Sequence, residues 1–318
     1  MLSRVADNLY WFTRYLRRAE NTARLVNVNS QLQLDLPRNV RFAWQPLLDT
    51  LGVQAAFRAS HPQGGEDAAE ADVVRFLLID PRSPCSLLSS LRAAREALRS
   101  IRDTLPAESW ERVNALYLWL GDSGERTLGR RYRQELLSRI VDGCLAVSGM
   151  LTANVSRDTG FQFLRLGTAL EQADMTTRII DAGGSGLIRP RVADDLASFR
   201  AVQWISVLRS LEAYQMYRRQ VRQRVTPALA LRFLLQDAEF PRSVTYCLDR
   251  VESTLKRIPG KAAVSRALAG VQGIVRTADT AALAEQGPKA AMDRIQIGLV
   301  QLHGALAEAY FRTSPRGS

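Results

Sequence analysis

Residues 9–26, LYWFTRYLRRAENTARLV, return in altered form at residues 163–180 as FLRLGTALEQADMTTRII, 154 positions later. In register, Leu16, Ala19, Thr22 and Arg24 match Leu170, Ala173, Thr176 and Arg178. Glu20 is matched by Asp174, Leu25 by Ile179 and Val26 by Ile180. A second stretch, residues 75–91, recurs at 232–248 with eight identities in seventeen positions, at an offset of 157. A repeat of about half the 318-residue chain sets the architecture before any local signal does. It predicts two similar halves, residues 1–157 and 158–318, packed into one compact domain.

With 46% hydrophobic and 24% charged residues, the chain is globular rather than disordered. No apolar run reaches the ~18–20 residues of a membrane span. Met1-Leu2-Ser3-Arg4 leads straight into an amphipathic stretch with an early Asp7, so no signal core is read and a cytoplasmic protein is expected. Cys85, Cys144 and Cys247 are scattered through apolar patterns, which suits buried free thiols. The two histidines have no cysteine or acidic cluster beside them, so no metal and no cofactor is expected. The net charge of +11 is carried almost wholly by arginine, the only lysines being Lys256, Lys261 and Lys289. The arginines are spread along every helix, the pattern of a charged surface rather than of a polyanion track. Nucleic-acid binding would rest on charge alone, with no motif behind it, and is not expected.

Apolar residues Leu2, Val5, Leu9, Phe12, Leu16, Ala19, Ala23 and Val26 step by three and four. They predict a helix from Ser3, as N-cap, to about Leu34, ended by Pro37. A second helix carries Trp44, Leu47, Leu48 and Leu51 and stops near Gly52. Residues 61–67 read as a loop, and helix resumes near Ala68. Ser83 as N-cap with Pro84 at the first helical position starts the next helix, which runs to about Leu105. Further helices cover 107–120, stopped by Gly121, and 130–155, after a loop at 124–129. The second half repeats the plan: a helix over 161–182, a glycine-rich end at 183–186, and a helix around Trp204 running on through Tyr214 and Tyr217. Starts follow at Thr226-Pro227 and at Pro241, a break at Pro259-Gly260, then helices over 262–278 and 288–311 and a polar tail. No run alternates apolar with polar residues. The fold class is therefore all-α, a helical bundle of two sequence-related halves with pseudo-two-fold symmetry.

Glu20 and Arg24, and their copies Asp174 and Arg178, are spaced i, i+4 with the acid first, the orientation that pairs best on a helix. Both pairs border the apolar stripe, which predicts partial burial. A buried carboxylate needs a cation and further hydrogen bonds. Two readings stay open. In one, a polar site lies between the related helices, with Glu20 and Asp174 as candidate acid or base. In the other, an ion-pair network fixes how the halves dock. Arg14, Arg17 and Arg18, beside Tyr10 and Trp11, read as a solvated face or as a basic, aromatic patch for an acidic partner. His303 reads as a packed, hydrogen-bonded histidine. Asp80 and Asp237 read as turn residues that satisfy nearby amides.

The N-terminal MLSRVADNLYWFTRYLRRAENTARL resembles the start of the bacterial alpha-E family. So do Arg75-Phe-Leu-Leu and residues 84–91, 163–178 and 233–248. That family is all-helical and is named for a Glu-Arg signature on a helix of this kind. Where the signature is expected, the first copy has Arg17-Arg18 and the second Glu171-Gln172, so each keeps half of it, at complementary positions. The resemblance implies company: by gene neighbourhood and fusion, family members accompany circularly permuted ATP-grasp proteins, predicted amide or peptide ligases. Transglutaminase-like proteases and proteasome-like peptidases often occur alongside. It implies an accessory protein without independent activity that binds the ATP-grasp protein or an acidic peptide. Arg14, Arg17, Arg18, Arg24 and Arg178 would be the contacts, with Glu20, Glu171 and Asp174 in the same binding set. The rival reading is an enzyme of the same peptide-modification pathway, its site the buried Glu20/Asp174 and arginine groups between the halves.

Overall fold

The computed structural model describes residues 2–36, 40–62, 68–184, 188–190 and 196–312. Two long helices form its centre, α1 (Ser3–Asp35) and α8 (Thr159–Gly184), and they are the two copies of the repeat. They pack along each other, because the stripe predicted for α1 is buried from Leu9 through Phe12, Leu16, Ala19 and Ala23 to Val26, while its first two members differ, Val5 being half-buried and Leu2 exposed at the helix start. At the crossing, Thr13 Oγ1 donates to the Leu164 carbonyl at 3.0 Å. A Cβ on Gly167 would stand only 2.2 Å from the Tyr10 carbonyl oxygen. Glycine at 167 is what allows the two backbones to approach so closely.

The remaining helices wrap this pair. α2 (Gln45–Thr50), α3 (Gln54–Ser60), α4 (Glu70–Leu78), α5 (Leu87–Arg99), α6 (Ala107–Thr127) and α7 (Arg130–Asn154) lie between the central helices in sequence. α9 (Leu196–Ser210), α10 (Tyr214–Val221), α11 (Pro227–Gln236), α12 (Val244–Leu255), α13 (Ala262–Arg276), α14 (Thr280–Gln286) and α15 (Lys289–Leu306) follow α8, and α15 continues into a π-helical turn, Ala307–Phe311. α5 and α7 pack on α1, while α12 and α15 pack on α8. α2 lies on α8, and α9 lies on α1. The fold is all-α. Among the described residues one antiparallel ribbon stands beyond the helices, β1 (Val40–Phe42) with β2 (Ile188–Pro190), Val40 opposite Pro190. Three-residue strands are too short to show an alternating pattern.

Several expected boundaries move. Ser3 is the first helical residue of α1; the cap is Leu2, which offers no side-chain hydrogen bond. Leu36 is extended, as the residue before a proline must be, while Pro37 lies outside the described residues. Neither Ser83-Pro84 nor Pro241 starts a helix. The caps are Ser86, whose oxygen accepts from the Ser89 amide, and Ser243, which accepts from the Tyr246 amide. Each proline sits in the preceding turn, because the serine two residues later satisfies an amide that proline cannot. Thr226 and Pro227 do start α11 as cap and first residue. Gly121 does not stop α6, which runs to Thr127, and Gly124 gives room for Ile79. α5 ends at Arg99, followed by a 3-10 turn at Arg102–Thr104. Glu212, at φ 53°, separates α9 from α10. Residues 63–67, 185–187 and 313–318, parts of the expected loop, glycine-rich end and tail, lie outside the described residues.

α7 is the one described helix long and apolar enough to cross a membrane, with mean hydropathy 1.4 over its best window. It carries Arg139 and Asp142 near its middle, packs on α1 and α6, and buries 39% of that window.

Candidate functional site

Two carboxylates on the central pair are fully buried, Glu20 on α1 and Glu171 on α8. Each has become the centre of an arginine cluster. Arg18 Nε donates to Glu171 Oε1 at 2.6 Å and Arg18 Nη2 to Oε2 at 3.0 Å. Arg14, one turn earlier on α1, donates from Nε to Glu171 Oε2 at 2.7 Å. Its Nη1 donates to the Tyr10 hydroxyl at 3.0 Å, and that hydroxyl lies 2.9 Å from His303 Nδ1 on α15. Glu171 is thus clamped from two successive turns of the facing helix, the spacing at which side chains share a face.

Glu20 is held differently. Arg17 and Arg24 reach it from their own helix, Arg24 Nε at 3.0 Å from Oε1. Arg242, in the turn before α12, adds Nη2 at 2.6 Å from Oε1. Arg242 Nη1 also donates to Asn21 Oδ1 at 2.9 Å and Gln172 Oε1 at 3.2 Å, so this one side chain ties α12 to both central helices. Arg24 extends outward to Glu212.

Burial by itself raises a carboxyl pKa, but these guanidinium groups overcome it. Desolvation of Glu20 is outweighed by Arg17, Arg242 and Arg24, and its pKa falls to about 2. Glu171 is likewise lowered, burial being outweighed by Arg14 and Arg18. Tyr10 moves up to about 12, chiefly through burial, with Arg14 opposing. His303 is lowered by burial and by Arg14, which disfavours the imidazolium beside the tyrosine.

The expected residues therefore fall into two clusters rather than one. Asp174 Oδ2 accepts from Arg178 Nε at 2.9 Å, and Arg178 lies against Gly52, where a Cβ would meet its Nη1 at 3.1 Å. Asp174 and Arg178 flank the Glu171 side, and Glu20 and Arg24 form the other. The solvated face expected of Arg14, Arg17 and Arg18 is not found, because all three turn inward onto Glu171 or Glu20. Asp80 accepts from the Arg82 amide, and Asp237 from the Glu239 and Phe240 amides, as turn residues should. The three cysteines are free, two buried and Cys85 half-buried. Among the described residues no group of three or more metal-ligating side chains gathers. Arg242 lies in a turn and its one sequence signal is the contrast between Pro241-Arg242-Ser243 and the repeated Pro84-Cys85-Ser86.

The class defined by this geometry is an all-helical domain around a central helix pair, with Arg18 of one helix and Glu171 of the other paired across it. The chain belongs to the Alpha-E family, a predicted alpha-helical domain with a conserved ER motif, whose model matches residues 1–311. An uncharacterized protein of Mycobacterium bovis is 25% identical over 277 residues, and so are uncharacterized proteins of two Mycobacterium tuberculosis strains. Each match covers 83% of this chain but only 30% of the relative. No solved structure matches the chain.

Proposed function

We propose that the chain is a helical accessory module of an ATP-grasp-type amide or peptide ligase system, binding the ligase or its peptide substrate in the cytoplasm. The carrying observation is the share of the relatives that it spans: the same module occupies about three-tenths of each of their chains. A segment built into a longer chain works beside other domains. The rival, an enzyme using Glu20 or Asp174, needs a group poised near the working pH. Glu20, held at about 2 and saturated by arginine, favours a structural role for its cluster.

The pairing of helix contacts supports the same reading. α1 packs on α5 as α8 packs on α12, α6 packs on α7 as α13 packs on α15, and β1 pairs with β2 antiparallel. We read these as residues 1–157 and 158–318 related by a pseudo-two-fold axis, a framework that presents surface rather than a reaction centre.

The test is co-purification of the tagged chain with the ATP-grasp protein of its own host, followed by ADP release with and without the chain. Stable capture, and turnover that depends on the chain, is expected. Absence of capture sinks the reading. For the rival, Glu20→Gln would abolish turnover in a protein of unchanged stability; loss of stability is expected instead.

A further inference from the structure

A cleft of about 330 Å³ lies between α7, α8, α12 and one flank of α1. Among the described residues four arginines line it, Arg17, Arg165, Arg242 and Arg250, and no aspartate or glutamate does. Arg17 and Arg242 are already engaged by Glu20 beneath the surface. Arg165 and Arg250 are not so engaged. Arg165 has only long bonds, at 3.4 Å to Gln162 Oε1 and 3.3 Å to Ser253 Oγ, and its Nε is buried with no hydrogen-bond partner. Arg250 donates to the Tyr246 hydroxyl at 3.1 Å. Among the described residues neither forms an ion pair with a carboxylate.

Such an arrangement is costly in the free protein. A buried N–H without an acceptor loses its hydration and gains nothing in return. Burial lowers the Arg165 pKa, and Arg250, Arg257 and Arg157 lower it further, so this guanidinium stands among like charges. The other wall is apolar, with Leu145, Leu151 and Phe161. The repeat shows why the cleft is open here. Arg165 stands where Trp11 stands in the first copy, and there the ring packs edge-on against His303 and under the Arg14 guanidinium.

We propose that this cleft binds a small organic anion, its carboxylate or phosphate seated between Arg165 and Arg250 and its apolar body against Leu145, Leu151 and Phe161. A planar guanidinium fork suits either oxyanion. An incoming anion would relieve the repulsion between the arginines. Mixed apolar and convergent polar walls around a few hundred Å³ are the usual make-up of a small-ligand site. The proposal stands on the cleft alone and does not depend on a ligase partner.

The test is calorimetric titration of the full chain with phenyl phosphate, phenylacetate and benzyl alcohol, which carry different heads on similar bodies. Saturable binding of at least one anion is expected, with none of the alcohol, and the anion that binds identifies the head group. Arg165→Gln and Arg250→Gln should each weaken that binding tenfold or more, a charge-assisted hydrogen bond being lost. Neither should lower Tm, because neither side chain has an ion pair to lose. The proposal is overturned if neither anion binds, if benzyl alcohol binds as well, or if binding survives both substitutions unchanged.

Discussion

Arg18 and Glu171 lie 153 residues apart in the chain and form a bidentate ion pair, with Nε to Oε1 at 2.6 Å and Nη2 to Oε2 at 3.0 Å. They stand at neighbouring positions of the repeat, Glu171 where the first copy has Arg17 and Arg18 where the second has Gln172. The buried pair is thus completed between the two copies rather than within either. Glu171 is fully buried and also answers Arg14, so its loss would leave two guanidiniums without an anion.

Glu171→Gln is therefore expected to destabilise the fold by about 3 kcal/mol or more, the range found when one partner of a buried pair is removed. Arg18→Gln should cost less, because Arg14 remains on the carboxylate. Urea denaturation of both variants checks the order. Equal stability of wild type and Glu171→Gln would show that the pair holds nothing together.

The crossing of α1 and α8 makes a sharper prediction. Gly167→Ala places a methyl 2.2 Å from a backbone oxygen, where no side chain can move aside. Overpacking of this kind costs roughly 1–3 kcal/mol, occasionally more. Gly149→Ala, on an exposed position of α7 with nothing within 4 Å, should instead stabilise by about 0.5–1 kcal/mol. Thermal melts of the two variants should move in opposite directions.

The central pair was legible in the sequence because two strong signals coincided there, the apolar stripe and the repeated acid and arginine positions. The partners of the charges were not. Spacing joins Glu20 to Arg24, and that bond exists, but nothing in spacing shows that Arg14 and Arg18 face a carboxylate on α8. Arginine in general lies at the surface, so the solvated reading of Arg14, Arg17 and Arg18 followed from ordinary composition. Only the packing of α8 on α1, with Glu171 brought to that face, reverses it. Arg242 escaped because it lies in a turn, outside any periodic pattern. Helix starts at Pro84 and Pro241 were misplaced because a proline and a serine compete for the same signal, and the serine oxygen decides.

The pKa shifts set a pH dependence with a definite sign. His303 has a folded pKa below its ordinary value, so between the two values the unfolded chain binds more protons. The histidine's contribution should therefore fall as pH drops below its ordinary value of about 6.5, and His303→Gln should remove that part of the slope. A second decline belongs to Glu20, whose pKa falls from 4.5 to about 2 on folding. Its contribution is complete above the unfolded value and is lost as pH falls through the folded one, roughly 3 kcal/mol in all. Chemical denaturation at stepped pH reads both. A His303→Gln variant whose curve runs parallel to the wild type below pH 7 contradicts the histidine assignment.

The central helices also decide how the chain divides. α1 packs on α8, α2 lies on α8, α9 lies on α1, and the ribbon joins β1 to β2, so every one of these contacts crosses between residues 1–157 and 158–318. A fragment of 1–157 would expose the stripe of α1 together with Arg14 and Arg18, stripped of Glu171. A fragment of 158–318 would expose α8 with Glu171 unanswered, a charge too costly to bury alone. Each fragment is expected to aggregate or to lack cooperative unfolding. Mixed from denaturant in equal amounts, they should recover the helical circular dichroism and the melting transition of the intact chain. Cooperative folding of either fragment by itself would mean that the clusters at Glu20 and Glu171 join two self-sufficient units instead of completing one.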